Sequence, residues 1–330
     1  MTDNWNLLGN EWAVEMLRKH ITRAAVRHAY LFAGPPGVGR CTLALRFAQA
    51  LNCTQPLEPG QPCYQCRDCK QIEAMQHPDL AIVQAETEGG SLKVEQIREL
   101  QRSLSLTSYQ SRYRIALLLR FQEATDSAAN ALLKTLEEAP VHVILLMTAD
   151  NAEQLLPTIT SRCEILRLRP LPLSVVEHHL VSHGSDPAQA SLLAHLSAGR
   201  PGQALRLLAD IGMLDSRQEQ LVDLQRLLSA TRIEKFDYAA RLVKDKDVFR
   251  GMLLLWLSYW RDVFLKASGA GTAITNIDRE KEIEGLAVQM GLEEARRLLG
   301  EHERALERLE RNVNSRLLAE NLLLEWPTSI

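Results

Sequence analysis

The hydrophobic pattern of this chain changes character along its length. Between residues 29 and 168, short apolar runs alternate with longer segments in which apolar positions recur every three or four residues. The runs "AYLFA" (29–33), "LAIV" (80–83), "RIALLL" (114–119), "VILLM" (143–147) and "EILRL" (164–168) have the length of strands. Runs this apolar suit strands covered on both faces, so they predict a parallel α/β sheet. The segments between them predict helices over about 40–52, 94–105 and 126–138. The third is the best delimited: Thr125 or Asp126 caps it, Ala129, Leu132, Leu133 and Leu136 form one stripe, and Ala139-Pro140 stops it.

After the last strand, "RPLPLS" (169–174) places two prolines at a natural hinge. A small helical unit follows, ending near "SAGRPGQALRLLA" (197–209), and from about residue 212 the periodicity is helical. The most apolar run, "MLLLWLSYWRDVFL" (252–265), contains Arg261 and Asp262. It falls short of the roughly 20 apolar residues of a membrane span, and predicts a buried helix with Trp256 and Trp260 packing one turn apart. The final "EHERALERLERNVNSRLLAENLLLEW" (301–326) predicts one long amphipathic helix. The expected division is 1–168, 169–209 and 210–330.

Composition narrows the function classes. At 330 residues and 46% hydrophobic content the chain suits two or three globular domains. With 38 Lys+Arg against 41 Asp+Glu, a net charge of -3 lacks the basic footprint of a dedicated nucleic-acid binder. Protein partners are expected as the main contacts. The start "MTDNWNLLGNEWAVEMLRKH" has neither the basic beginning nor the apolar core of a signal peptide, so export is not expected.

Four of the six cysteines cluster. Cys63, Cys66 and Cys69 are spaced two residues apart, with Cys53 across a Pro/Gly loop. Four thiolates at these spacings make a closed tetrahedral site for structural Zn²⁺. An iron–sulfur cluster uses similar spacings, but nothing else in the chain suggests redox work. Cys41 and Cys163 stand alone and are expected to be ordinary, at least partly buried thiols.

The stretch "GPPGVGRCTLAL" (34–45) outlines a phosphate loop between a strand and a helix. Such loops wrap phosphate in backbone N–H groups, reach the outer phosphates with Lys and bind Mg²⁺ through a hydroxyl. Gly34, Gly37 and Gly39 supply the turn, but Arg40 and Cys41 stand where Lys and Ser/Thr belong, and Thr42 comes one residue late. Sulfur is a poor Mg²⁺ ligand. A hydrolytic site also needs an acid at the tip of a neighbouring core strand. Here "RIALLL" continues into Arg120-Phe121-Gln122-Glu123, with the first carboxylate four residues beyond Leu119. The loop is therefore expected to keep the shape of a nucleotide site without its hydrolysis. His77, in "HPDL" (77–80), is expected to serve a structural turn.

"AYLFAGPPGVGR", the Cys53/Cys63/Cys66/Cys69 module, "HPDL", "NALLKTLEEAP" (130–140), "LLPTITSRC" (155–163) and "RNVNSRLLAENLLLEWP" (311–327) together resemble the delta-prime family of bacterial DNA polymerase III clamp-loader subunits. The likeness spans nearly the whole chain. "SRC" and the zinc module are shared with the tau/gamma motor subunits, which keep the catalytic residues. The resemblance implies an AAA+ α/β domain of the P-loop NTPase type carrying the zinc module (53–69), a helical lid and an all-α collar that joins a five-subunit ring. It further implies a cytoplasmic, replisome-associated stator with weak or no ATP binding. Its partners would be the tau/gamma and delta subunits and, through the assembled complex, the sliding clamp and primer–template DNA. Arg162 of "SRC" would reach into a neighbour's ATP site; Thr148 would stand at the polar sensor position, and Gly202 where motors carry a phosphate-sensing Arg. The alternatives are a divergent tau/gamma-like motor and a module that holds nucleotide without cutting it.

Overall fold

The computed structural model describes residues 4–87, 89–105, 109–138, 140–311 and 313–327. They form two compact units: Met1–Pro172 with Arg200–Gln203, and Leu173–Gly199 with Ala204–Ile330.

In the first unit the chain runs α1 (Glu11–Thr22), β1 (Ala29–Ala33), α2 (Arg40–Asn52), α3 (Arg67–Glu73), β2 (Leu80–Val83), α4 (Val94–Leu104), β3 (Arg114–Leu118), α5 (Asp126–Glu137), β4 (Val143–Ala149), α6 (Pro157–Thr160) and β5 (Glu164–Arg167). All five expected strands form, and all pair in parallel in the order β2-β3-β4-β1-β5. Strand β4 continues two residues past the apolar run, through Thr148 and Ala149.

The apolar runs are needed because both faces of the sheet are covered. Side chains alternate along a strand, so Ala29, Leu31 and Ala33 of β1 join a core with α4 and α5, while Tyr30 and Phe32 join another with α1 and α2. Each large side chain buried in this way contributes about 1.5–3 kcal/mol. At α5 the cap is Thr125, whose hydroxyl accepts the Ala128 amide at 3.2 Å. Of the expected stop, Ala139 lies outside the described residues.

The second unit is helical: α7 (Leu173–Ser182), α8 (Pro187–Leu196), α9 (Pro201–Ala209, whose first turn belongs to the first unit), α10 (Ile211–Leu228), α11 (Arg232–Leu242), α12 (Lys246–Ala267), α13 (Glu280–Glu310) and α14 (Ser315–Leu324). Gly291, at φ +70°, interrupts α13. Helix α12 contains the long apolar run, and no helix among the described residues is long and apolar enough to cross a membrane. Trp256 and Trp260 are both fully buried, each edge-on to Trp326 at ring-centroid distances of 4.8 and 5.7 Å. The indole N–H of Trp326 donates to Nε2 of buried His302 at 3.2 Å.

The single helix expected over 301–326 is instead two, α13 and α14. The break has a local cause. The Asn314 side chain accepts the amides of Arg316 and Leu317 at 3.0 and 3.2 Å, starting a new helix where an unbroken one would leave that side chain unused.

Candidate functional site

Strand order assembles the candidate site. Because β1 lies beside β4 and β4 beside β3, the Gly-rich loop after β1, Leu119–Glu123 after β3 and Thr148–Asp150 at the end of β4 meet at one edge of the sheet. The carboxyl ends of parallel strands are where open α/β sheets hold ligands.

The loop has the backbone of a phosphate site. Gly34 donates its N–H to Ala149 O at 3.2 Å, while Gly37 (φ +84°) and Gly39 (φ +105°) take left-handed conformations that favour glycine. Gly39 caps α2 without a side-chain bond, so the first amides of that helix have no intrahelical partner. The side chains are committed elsewhere. Arg40 is 9% exposed and donates from Nη1 to Asp150 Oδ1 at 2.7 Å. The Asp150 amide donates to Gln122 Oε1 at 3.3 Å. Thr148, at the end of β4, accepts the Arg120 amide at 2.9 Å.

Glu123 does not substitute for the missing strand-tip acid. Its Oε1 accepts from Arg120 Nε at 2.9 Å and from the Gly89 amide at 3.1 Å. Burial pushes the Cys41 thiol above its ordinary range, outweighing the pull of Arg40 and Arg120, so it is not poised as a thiolate ligand. Thr42 is exposed on the first turn of α2. The polar groups of this corner thus largely satisfy one another.

Gly202 belongs to the segment that packs with this unit, and its N–H donates to Gly37 O at 2.8 Å. A Cβ at Gly202 would lie 3.0 Å from that same oxygen. The absence of an Arg here therefore has a packing reason that sequence reading missed: the backbone approaches too closely for a side chain to be added without a shift.

At the other end of α2 the four cysteines converge. All four Sγ atoms lie within 4.8 Å of one another, with Cys53 to Cys63 at 3.5 Å and Cys53 to Cys66 at 4.0 Å. A tetrahedral ion with bonds of about 2.3 Å puts its sulfurs about 3.8 Å apart, so the cluster fits a structural Zn²⁺ ion. Backbone amides prepare the ligands: Cys63, Cys66 and Cys69 donate N–H to the sulfurs of Cys53, Cys63 and Cys66 at 3.3–3.4 Å. Burial disfavours the Cys66 thiolate, but the Cys69 amide and the hydroxyl and amide of Thr54 outweigh it, bringing the thiol down to about 6. Cys163, outside the cluster, is pushed up to about 12 by burial.

The module is tied to its surroundings on two sides. Gln49 of α2 donates to the Cys69 carbonyl at 2.8 Å, and Arg46 lies over the Tyr64 ring at 5.1 Å and pairs with Glu73. On the other side, buried His77 accepts the Asp79 amide at Nδ1, 3.0 Å away, which places its proton on Nε2 facing Asp68 at 3.3 Å. Burial raises the Asp79 carboxyl, but the amides of Tyr109, Gln110 and Ser111 outweigh it and hold it below its ordinary range. "HPDL" is thus a structural turn, as expected.

Arg162 follows α6, about a third exposed. Its Nη2 donates to Glu137 Oε1 at 2.7 Å and its Nη1 to Thr158 O at 2.8 Å. Glu137, at the end of α5, is a partner that sequence reading did not identify.

Comparisons with known proteins agree with this arrangement. Residues 9–172 match the family model described as DNA polymerase III, delta subunit, and residues 212–328 match the model for its C-terminal part. The chain is 31% identical to DNA polymerase III subunit delta-prime of Bacillus subtilis over 94% of each chain. It is also 31% identical to the delta-prime subunit of Pseudomonas aeruginosa, covering 92% of this chain and 93% of that one. Subunit tau of Escherichia coli is likewise 31% identical, but over 61% of this chain and 32% of its own. With its clamp-loader-related parallel sheet and four-cysteine centre, the chain belongs to the delta-prime subunit family of DNA polymerase III.

Proposed function

We propose that this chain is a non-hydrolysing stator of the DNA polymerase III clamp loader, helping to place the sliding clamp on primed DNA. It supplies Arg162 in trans to the ATP site of a neighbouring tau/gamma motor subunit. The observation that carries this reading is the contrast between two arginines. Arg40, in the phosphate loop, is nearly buried and paired with Asp150, whereas Arg162 stands at the surface on an exposed carboxylate it can leave. A guanidinium fork is permanently charged and matches phosphate oxygens. An exposed ion pair such as Arg162–Glu137 is worth about 0–1 kcal/mol, so a neighbour's phosphate can take the arginine over.

In this reading residues 1–168 form the AAA+ domain, 169–209 the lid and 210–330 the collar that joins the ring with tau/gamma and delta. Clamp and primer–template DNA are met through the assembled complex, in the bacterial cytoplasm. The test is the DNA- and clamp-stimulated ATPase of a reconstituted loader with wild-type chain or Arg162→Ala, after assembly is verified for both. A drop on the order of 10³-fold or more is expected by analogy with arginine fingers supplied in trans. An unchanged rate removes the finger role, and ATP turnover by the purified chain alone overturns the non-hydrolysing reading.

A further inference from the structure

We propose that Asp150 is an internal counter-ion: it takes the place of phosphate on Arg40 and so keeps the Gly-rich loop closed to anions. This deepens the non-hydrolysing reading of the loop and is independent of Arg162. By sequence, the loop is defective in two side chains, yet Arg40 still carries a positive charge at the position of the phosphate-binding Lys. A cation so placed, above a turn with free helix amides, would be expected to hold polyanions at least weakly. The structure supplies the reason it is closed to them.

A guanidinium that is 9% exposed needs a charged partner, because a buried unpaired charge is strongly destabilising. Asp150 is that partner at 2.7 Å. The fork that fits carboxylate also fits phosphate, so the two compete for the same donors. Asp150 holds the advantage of being intramolecular. It follows directly on β4, and the pairing of Ala33 with Ala149 at the ends of β1 and β4 fixes where it stands relative to the loop. An entering phosphate would have to displace this carboxylate or share the site with its negative charge. The neighbouring amides offer little compensation, since the Arg120 N–H already donates to the Thr148 hydroxyl and the Asp150 N–H to Gln122 Oε1.

The experiment compares the full-length wild type, Asp150→Asn, and the double variant Arg40→Ala with Asp150→Asn. Inorganic pyrophosphate is the probe, titrated calorimetrically at low ionic strength, with thermal unfolding followed at each concentration. Asp150→Asn keeps the side-chain size and removes the competing charge. Pyrophosphate should bind this variant about tenfold or more tightly than wild type, the scale of one charged hydrogen bond. The double variant should lose the gain. Equal binding by wild type and Asp150→Asn overturns the proposal: measurable binding in both means that the loop is open to anions, and none in either means that something other than Asp150, such as the backbone contact between Gly37 and Gly202, closes it. A gain that survives Arg40→Ala also overturns it. Should Asp150→Asn be unstable alone, stabilisation by pyrophosphate that wild type does not share supports the proposal, because a ligand that binds only the folded state raises its stability; absence of that stabilisation overturns it. ATP turnover by the wild type is assayed separately, so failure of the non-hydrolysing reading is told apart from failure of the counter-ion.

Discussion

Helix α2 begins at a phosphate-type loop and ends at a metal centre, and the two ends are built differently. The loop's shape comes from backbone: glycines at positive φ, a strand-end hydrogen bond and free helix amides. Arg and Cys can stand at positions 40 and 41 without disturbing that shape, and the shape alone does not give activity. The cysteine centre is built from side chains, four sulfurs within 4.8 Å. Exchanging any one of them removes a ligand. A motif that is mostly backbone can therefore outlast its chemistry, whereas a motif that is mostly side chain cannot.

The largest effect should come from breaking the side-chain end. Cys69→Ser should abolish stoichiometric zinc, measured by elemental analysis, and lower the first unit's stability by on the order of 5 kcal/mol, a fraction of the roughly 10–16 kcal/mol known for small zinc domains. A chelator should reproduce the loss in thermal melts of the wild type. Retention of full stability without zinc would break the comparison, because Gln49, Arg46 and the sheet would then suffice to hold the module.

A control lies in the second unit. Burial holds His302 down at about 4 from an ordinary 6.5, since its surroundings disfavour the imidazolium. As pH falls the unfolded chain takes up this proton first, so the histidine's contribution is full above 6.5 and is lost between 6.5 and 4. The loss amounts to about 3 kcal/mol. Urea unfolding of wild type and His302→Gln across that range isolates it. At neutral pH the zinc content and the loop of His302→Gln should match wild type, which separates an effect on the second unit from one on the cysteine centre.

At the backbone end, Gly37→Ala should cost about 2 kcal/mol. Its φ is +84°, and the added Cβ would lie 2.9 Å from the Gln203 backbone nitrogen. Chemical denaturation measures the cost; a neutral result would mean that the turn relaxes and that its shape is less demanding than the angles suggest. The smallest effect is expected from restoring side chains. Arg40→Lys with Cys41→Ser should change stability by less than about 1 kcal/mol and yield no ATP turnover, because no carboxylate stands at the tip of β3 and Asp150 can still pair with the Lys. Measurable turnover would show that the missing acid is dispensable.

How much could be read in advance depended on the range of the interactions. Strands and helices of the first unit were legible because apolar runs, Thr125 and the glycines act within a few residues. The cysteine centre was legible for the same reason, since three of its ligands fall within seven positions. The break before α14 was missed although Asn314 signals it; amphipathic periodicity on both sides masked a local cap. Asp150, 110 residues from Arg40, and Glu137, 25 from Arg162, carried no local signal as partners. Nor did Gly202, whose role depends on the approach of another backbone.

The amino-acid sequence by itself determined the elements, the four metal ligands and the absence of Lys, hydroxyl and strand-tip acid from the loop, because each is a matter of residue type at short spacing. Tertiary structure alone decided the strand order that gathers three strand ends at one corner, and with it the pairing of the loop's arginine. Such a pairing follows from which strands lie side by side, and side-by-side placement is a property of the whole sheet.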